Sequence, residues 1–266
     1  MPKKHLNKIS GKNLLASASL AGSLLLTSGS QSLKALPDKP PELRLPLGLV
    51  NDEEIKKILS KYLNKVLPSF NRVLTEKEEL SITQAIQKTL GIKAVAELEG
   101  KRLNNQIGLI GLEQHLLRYP GDTLEGRSFP QVGLAPGTGA WGYFASSAEA
   151  LAKVDREREK YYVAVQTLYL PDWPQQANQL KQWFQYRKVL VVNPQTGAAV
   201  VAVIADAGPA KQTGKQFGGS PQVMVDLGLY PKNTKGKVIV LFVDDPHNEV
   251  PLGPVTHSAG KPPALI

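Results

Sequence analysis

The segment that decides the fold of the C-terminal half is residues 188–209, KVLVVNPQTGAAVVAVIADAGP. Two valine-rich apolar runs flank Asn193-Pro-Gln-Thr-Gly197, and the asparagine, proline and glycine of that stretch are typical of turns. The segment therefore predicts a β-hairpin whose second strand, Ala198 to Ala205, runs directly into Asp206.

The pattern well upstream of the hairpin is helical. Residues 49–92 repeat apolar side chains at helical spacing, and Pro68 ends or kinks the first helix. Thr75-Glu-Lys-Glu78 has the spacing of a capping box and predicts the start of a second helix. A third helix is expected over residues 93–118, so that a helical region covers 49–130.

From about residue 131, strand patterns replace the helical ones. Ser220-Pro221 predicts the start of a short helix, because serine caps a first turn and proline suits the first helical position. The run from Lys237 to Val243 predicts a last buried strand. We therefore expect an α+β protein with an N-terminal helical segment, a β domain over 131–256 and a loose tail over 257–266.

The first 35 residues have the features of a secretory signal peptide. Four lysines precede a short apolar run, Leu14 to Leu26, which is about half of the roughly 20 residues that span a bilayer. The sequence is compatible with cleavage of the signal peptide after Ser30 or after Ala35. The alternatives to a cleaved signal peptide are an uncleaved membrane anchor and an amphipathic soluble helix. With a proline-rich linker over 36–48, this predicts a secreted or cell-envelope protein, with no stable membrane span after leader removal.

Composition excludes several functional classes. The net charge of +9 falls to +4 without the five lysines of the first 35 residues, so a nucleic-acid partner is not expected. The chain has no cysteine, which excludes disulfides, thiolate metal sites and a cysteine nucleophile. No second histidine lies at metal-ligand spacing from His115, so neither a metal nor a cofactor is expected.

The segment Val189–Leu229 resembles the double-psi β-barrel of the rare lipoprotein A family, a fold shared with expansins and some endoglucanases. The family pattern is a strand, Asp-x-Gly-Pro, a short loop, Gly-Arg, a stretch like Ile-Asp-Leu-Ser, and a helix ending in Leu-Gly. The matching residues here are Asp206–Pro209, Gly214-Lys215, Phe217–Ser220 and Leu227-Gly228. The resemblance implies a six-stranded double-psi barrel over about residues 131–250.

The sequence departs from the family pattern at two places. The aspartate of the Asp-Leu-Ser stretch falls on Gly218, and no histidine lies between residues 116 and 246 to replace the family's upstream histidine. The aspartate of Asp-x-Gly-Pro, the family's proposed general acid on peptidoglycan, is retained as Asp206. A general acid needs a carboxyl that stays protonated near neutral pH, which burial favours. The alternative is a turn carboxylate that accepts backbone N–H bonds and has a lowered pKa.

Four further residues are candidates for substrate binding. Trp141 and Tyr143 stack on sugar rings in one interpretation and are core aromatics in the other. Lys215 meets acidic wall groups or is ordinary solvated surface. Asp244, with its neighbour Asp245 at the end of the last strand, supplies a second carboxylate or closes a turn.

A separate polar cluster precedes the β domain. Glu113, His115, Arg118 and Asp122 lie close in sequence, and His115 and Arg118 would share a face of the expected third helix. We expect the polar end of that helix here rather than a catalytic site.

Two main hypotheses for function follow. One is an exported, cell-wall-associated enzyme, a peptidoglycan lytic transglycosylase that uses Asp206 as its single acid/base group. The other is a non-catalytic, expansin-like barrel that binds peptidoglycan or another wall polysaccharide, and an adaptor role for the helical region is a third possibility. One retained aspartate with a lost partner fits a transglycosylase better than a hydrolase, because most hydrolytic glycosidases use two carboxylates.

Overall fold

The computed structural model describes residues 41–43, 45 and 51–256. The predicted signal peptide, most of the linker and the predicted tail lie outside the described residues. The described part is an α+β protein, as expected, in which helices and a closed β-barrel pack together.

The α-helices of the described residues fall before, between and after the strands. They are α1 (Asp52–Val66), α2 (Glu76–Leu90), α3 (Lys153–Lys160), α4 (Trp173–Phe184) and α5 (Pro221–Asp226). The first two begin with reciprocal capping: the Asn51 side chain accepts from the Glu54 amide, and Thr75 caps Glu78 in the same way. Ser220 caps α5 by accepting from the amide of Val223, as the sequence predicted.

The expectation of a third helix over residues 93–118 is wrong, because short strands occupy that segment. The longest of them has the sequence IGLIGL over Ile107–Leu112 and pairs with another strand over five residues. Its apolar spacing fits a helix or a strand, but two glycines in six residues disfavour a helix. His115 and Arg118 consequently share no helix face.

The strands include both short paired strands and the longer strands of the barrel. They are β1 (Ala94–Val95), β2 (Glu97–Leu98), β3 (Lys101–Arg102), β4 (Ile107–Leu112), β5 (Tyr162–Val165), β6 (Lys188–Val192), β7 (Ala199–Asp206), β8 (Phe217–Gly219), β9 (Lys235–Val243) and β10 (Gly253–Pro254).

Six strands close into a mixed barrel in the order β9-β4-β8-β5-β7-β6. The ring closes because β6 pairs with both β7 and β9, while β4 with β8 and β5 with β7 are parallel. A closed six-stranded barrel is therefore confirmed. Strand β4 belongs to this barrel although it precedes residue 131.

The predicted hairpin is formed by β6 and β7, with Lys188 opposite Val203 and Val192 opposite Ala199. Its turn includes Gly197, at a φ of 76°, where an added Cβ would lie 2.0 Å from the carbonyl oxygen of Lys56 in α1. Only glycine combines that backbone conformation with so close an approach.

The hairpin is apolar on both faces because both faces are buried. Val189, Val191 and Ile204 belong to a core that includes Phe217 and Phe242, inside the barrel. Alternate residues such as Leu190 instead pack outside it, against α1 and α2. Helices α1 and α2 thus cover one side of the outer surface of the barrel.

Candidate functional site

Asp206 ends strand β7, at a bulge. Val163 of β5 pairs with Ile204, but the next residue, Ala164, pairs with Asp206, so β7 contains one extra residue at this point. Bulges re-aim side chains and recur next to active sites. Here the bulge places Asp206 at the end of the strand, beside Ala164.

The two oxygens of the Asp206 carboxyl differ in their surroundings. Oδ1 accepts hydrogen bonds from the backbone amides of Ala140, at 2.9 Å, and Ala207, at 2.8 Å. Within the described residues no hydrogen bond reaches Oδ2, and this oxygen is not among the buried atoms that lack a partner. Oδ2 therefore keeps access to solvent, and it is the oxygen on which a proton would sit.

Burial raises the pKa of Asp206, while the amides of Ala207 and Ala140 oppose that rise without cancelling it. The two backbone N–H bonds are those that the turn-carboxylate interpretation expects, whereas the raised pKa is the direction that the general-acid interpretation expects. A carboxyl with a raised pKa is of the type that general acids need.

A second carboxylate, that of Glu113, lies on the same face of the barrel. Gly111, Gly218, Ala164 and Asp206 are successive partners across four strands, which places Gly218 two strand spacings, roughly 10 Å, from Asp206. An added Cβ on Gly218 would lie 2.5 Å from Oε1 of Glu113. Glu113 therefore occupies the space that a side chain at position 218 would fill.

Tyr162 lies among these groups. Burial raises the pKa of its phenol well above the usual value, and the negative charges of Glu113, Glu159 and Asp206 raise it further. Its hydroxyl donates a hydrogen bond to the carbonyl oxygen of Gln114. Tyr162 therefore stays neutral, and its hydrogen bond holds the segment after β4 against β5.

Lys215 pairs with Glu113, since its Nζ lies 3.0 Å from Oε1 of that residue. The side chain of Lys215 also crosses over Gly111, where an added Cβ would lie 2.3 Å from its Cδ. The sequence left Lys215 open as either a contact for acidic wall groups or ordinary solvated surface. The structure adds that its charge is shared with a carboxylate that sequence reasoning did not select for the Asp206 site.

The aromatic candidates differ in exposure. Trp141 follows Ala140, the residue that donates to Asp206, but its indole N–H donates to the carbonyl oxygen of Lys181 at 2.7 Å and its ring packs on the core. Tyr143 is 42% exposed. Tyr143 therefore offers an exposed ring, while Trp141 contributes mainly to packing.

Asp244 follows β9 and is separated from β7 by β6. It pairs with Lys93 at 2.5 Å. Its neighbour Asp245 accepts from the amides of Glu249 and Val250 and from Lys188, which lowers its pKa despite burial. The structure does not bring either carboxylate into contact with Asp206.

The cluster of Glu113, His115, Arg118 and Asp122 divides in the structure. His115 Nδ1 lies 3.0 Å from Oε1 of Glu159, and Arg127 bridges Glu159 to Asp122, which also accepts two hydrogen bonds from the Arg118 side chain. These hydrogen bonds, and the charges of Arg118 and Arg127, lower the pKa of Asp122 to about 2 against the effect of burial. This buried network holds the segment between β4 and α3 in place.

No group of three or more histidine, aspartate or glutamate side chains in the described residues is arranged to hold a metal ion. In the same part of the chain, none of the helices combines the length and apolarity that a bilayer crossing requires.

Comparison with protein-family models and with curated proteins found no match to this chain.

Proposed function

We propose that this chain is an exported, cell-wall-associated protein whose barrel is of the double-psi, rare lipoprotein A type, and that it cleaves peptidoglycan strands as a lytic transglycosylase. The observation that carries the proposal is the Asp206 carboxyl, with one anchored oxygen, one accessible oxygen and a raised pKa.

The reaction needs one group that first gives and then takes a proton. Protonated Asp206 donates from Oδ2 to the glycosidic oxygen, the bond from that oxygen to the anomeric carbon breaks, and the leaving sugar departs as an alcohol. The resulting carboxylate then removes a proton from another hydroxyl of the remaining sugar, whose oxygen closes a ring on the anomeric carbon. Asp206 ends protonated again, and no water is consumed.

The two backbone amides support this cycle. They hold Oδ1 in place through both half-reactions and stabilise the carboxylate when the proton has left. Burial disfavours that carboxylate and so returns the group to its acidic form. The balance of these two effects lets one side chain serve as acid and base.

Glu113 bears on the choice between transglycosylation and hydrolysis. Its carboxylate is engaged by Lys215 and lies against Gly218, whose backbone is two strand spacings from that of Asp206. An inverting hydrolase needs a free second carboxylate at roughly 6.5–9.5 Å to activate water. We therefore assign Glu113 no proton transfer and expect cyclic anhydro-sugar products.

The alternative is a non-catalytic barrel that binds wall polysaccharide. A polar pocket beside the barrel mouth, lined by amide side chains and a tyrosine, favours this second candidate. An adaptor role of α1 and α2 has less support, because both helices bury their apolar faces against the barrel itself.

The test is digestion of purified cell wall by wild-type protein and by Asp206→Asn, with mass spectrometry of the released sugars. General acid–base catalysis is worth about 10²- to 10⁴-fold, so the variant should lose at least about a hundredfold in rate. Glu53→Gln is the matched control, because it removes one carboxylate from an exposed position on α1, where Glu53 pairs only with Lys56 among the described residues.

Products lighter than the hydrolysis products by one water support transglycosylation. Equal digestion by wild type and Asp206→Asn would refute the enzymatic proposal. Retention on cell wall without any released sugar would leave only the binding alternative.

A further inference from the structure

A polar pocket of about 370 Å³ lies at one end of the barrel, between the segment before β4, the segment after β5 and the loop from β7 to β8. Its lining includes Gln166, which follows β5, and Lys211, which lies in the loop after Asp206. Ala164, two residues before Gln166, is the strand partner of Asp206. The pocket and Asp206 therefore lie at the same end of the barrel.

The pocket has positive charge and no acidic lining. Its charged lining residues are Lys211 and Lys215, and no aspartate or glutamate lines it. Lys215 is paired with Glu113, whereas no carboxylate among the described residues forms an ion pair with Lys211. The Lys211 ammonium instead lies 4.6 Å from the centre of the Tyr169 ring. The positive charge of Lys211 is therefore not neutralised by a carboxylate of the described part of the chain and can pair with an anionic group of a ligand.

The amide side chains of the pocket are held in fixed orientations. Gln166 donates to the carbonyl oxygens of Pro209 and Lys215, which ties both ends of the loop that carries Lys211. Asn104 donates to the carbonyl oxygen of Gln166 at 2.7 Å, and Asn105 to its side-chain oxygen at 3.4 Å. The side-chain oxygens of Asn104 and Asn105 accept no hydrogen bond from the described residues and remain available to ligand hydroxyls.

These features select the chemistry of a ligand. The ammonium group of Lys211 pairs with an anion, and the amide oxygens of Asn104 and Asn105 accept hydrogen bonds from donors on the same ligand. A bare inorganic anion does not supply several hydroxyl donors, whereas a sugar that bears a carboxylate supplies both. Tyr169 is 37% exposed, so the part of its ring that Lys211 does not cover is accessible to an apolar sugar surface.

We propose that this pocket is a subsite for a carboxylated saccharide unit, with Lys211 pairing with the carboxylate and Asn104 and Asn105 accepting from its hydroxyls. The proposal rests on the wall-polymer function proposed above, because it places an acidic sugar beside the end of the barrel where Asp206 lies. The subsite makes binding selective for an acidic unit even when no bond is cleaved.

The experiment is calorimetric titration of the full chain with two tetrasaccharides. One alternates glucuronic acid with N-acetylglucosamine, and the other contains N-acetylglucosamine alone. The acidic tetrasaccharide should bind about tenfold more tightly, because a charge-assisted hydrogen bond contributes about 1.5 kcal/mol or more. Lys211→Gln should remove this preference.

The matched control is Lys61→Gln, which removes the same charge from an exposed position on α1, outside the pocket. It should keep the full preference for the acidic tetrasaccharide. Equal affinity of the two tetrasaccharides for wild type, or an unchanged preference in Lys211→Gln, would overturn the proposal. Equally tight binding of a short acidic peptide without sugar would overturn the assignment to a saccharide.

Asp206→Asn separates this proposal from the proposed function. The variant should bind the acidic tetrasaccharide as wild type does, since Asp206 does not line the pocket. If cell wall is not cleaved but the Lys211-dependent preference is measured, catalysis fails and the subsite stands. If cleavage depends on Asp206 while Lys211→Gln binds like wild type, the subsite alone fails.

Discussion

Replacement of Asp122 by asparagine tests whether the buried ionic network organises the segment that reaches Asp206. The Asp122 side chain is fully buried and receives hydrogen bonds from the Arg118 backbone, the Arg118 guanidinium and Arg127. Asparagine keeps the size of the side chain and removes its charge. Two guanidinium groups then lose an anionic partner in a buried environment.

The pKa of Asp122 sets the size of the effect. Folding lowers it from 3.8 to about 2, and at about 1.4 kcal/mol per pKa unit this corresponds to about 2 kcal/mol of stability at neutral pH. Loss of one partner of a buried ion pair costs about 3–5 kcal/mol, so we expect Asp122→Asn to lower the free energy of unfolding by about 2–4 kcal/mol.

The same shift predicts a pH dependence. Because the folded pKa lies below the unfolded one, the stabilisation is complete above a pH of about 4 and is lost as the pH falls through about 2. The stability difference between wild type and Asp122→Asn should therefore be constant at neutral pH and shrink in acid. Urea denaturation followed by tryptophan fluorescence at several pH values measures it.

Asp155→Asn is the control, because Asp155 pairs with Arg158 at 3.4 Å nearer the surface and should contribute less than about 1 kcal/mol. A loss of under about 0.5 kcal/mol in Asp122→Asn at neutral pH, or a difference that persists unchanged in acid, would refute the reasoning.

Two further predictions concern the site itself. Asp206→Asn should raise the free energy of unfolding near neutral pH and leave it unchanged near a pH of about 3. The reason is that the pKa of Asp206 is raised in the folded state, so the ionised carboxylate destabilises the fold only above the unfolded pKa. Urea denaturation at both pH values measures this, and destabilisation of the variant at neutral pH would argue for the turn-carboxylate interpretation. Gly218→Ala should displace the Glu113 side chain and lower the free energy of unfolding by about 1–3 kcal/mol. Gly137→Ala is the control and should have little effect, because an added Cβ there meets nothing within 4 Å. Equal melting temperatures of these two variants would contradict the close contact between Gly218 and Glu113.

The sequence predicted the elements whose signals are local. The hairpin of β6 and β7 follows from two apolar runs around a turn, and the start of α5 follows from Ser220 and Pro221. Each signal acts within a few residues, so the rest of the fold does not alter it. The segment 93–118 was mispredicted because its apolar spacing was compatible with two structures, and the pairing of β4 with β9 selected the strand.

Asp206 was found from sequence by its Asp-x-Gly-Pro motif, but its chemistry was not. Its pKa depends on burial and on the amide of Ala140, which lies 66 residues away in the chain. Glu113 was noticed only as part of a different cluster. Its place beside Gly218 became visible only when β4 and β8 were paired.

The sequence by itself determined a hairpin, a set of capped helices and an aspartate at the end of a buried strand, because backbone preferences and side-chain periodicity act locally. The resemblance predicted a barrel, but tertiary structure alone decided which strands form it, that Asp206 is harder to ionise than a surface aspartate, and that the positive charge of Lys211, unpaired within the described residues, faces a pocket at the same end of the barrel. The reason is that burial and electrostatic interaction depend on distance in space, and the residues that set them come from distant parts of the chain.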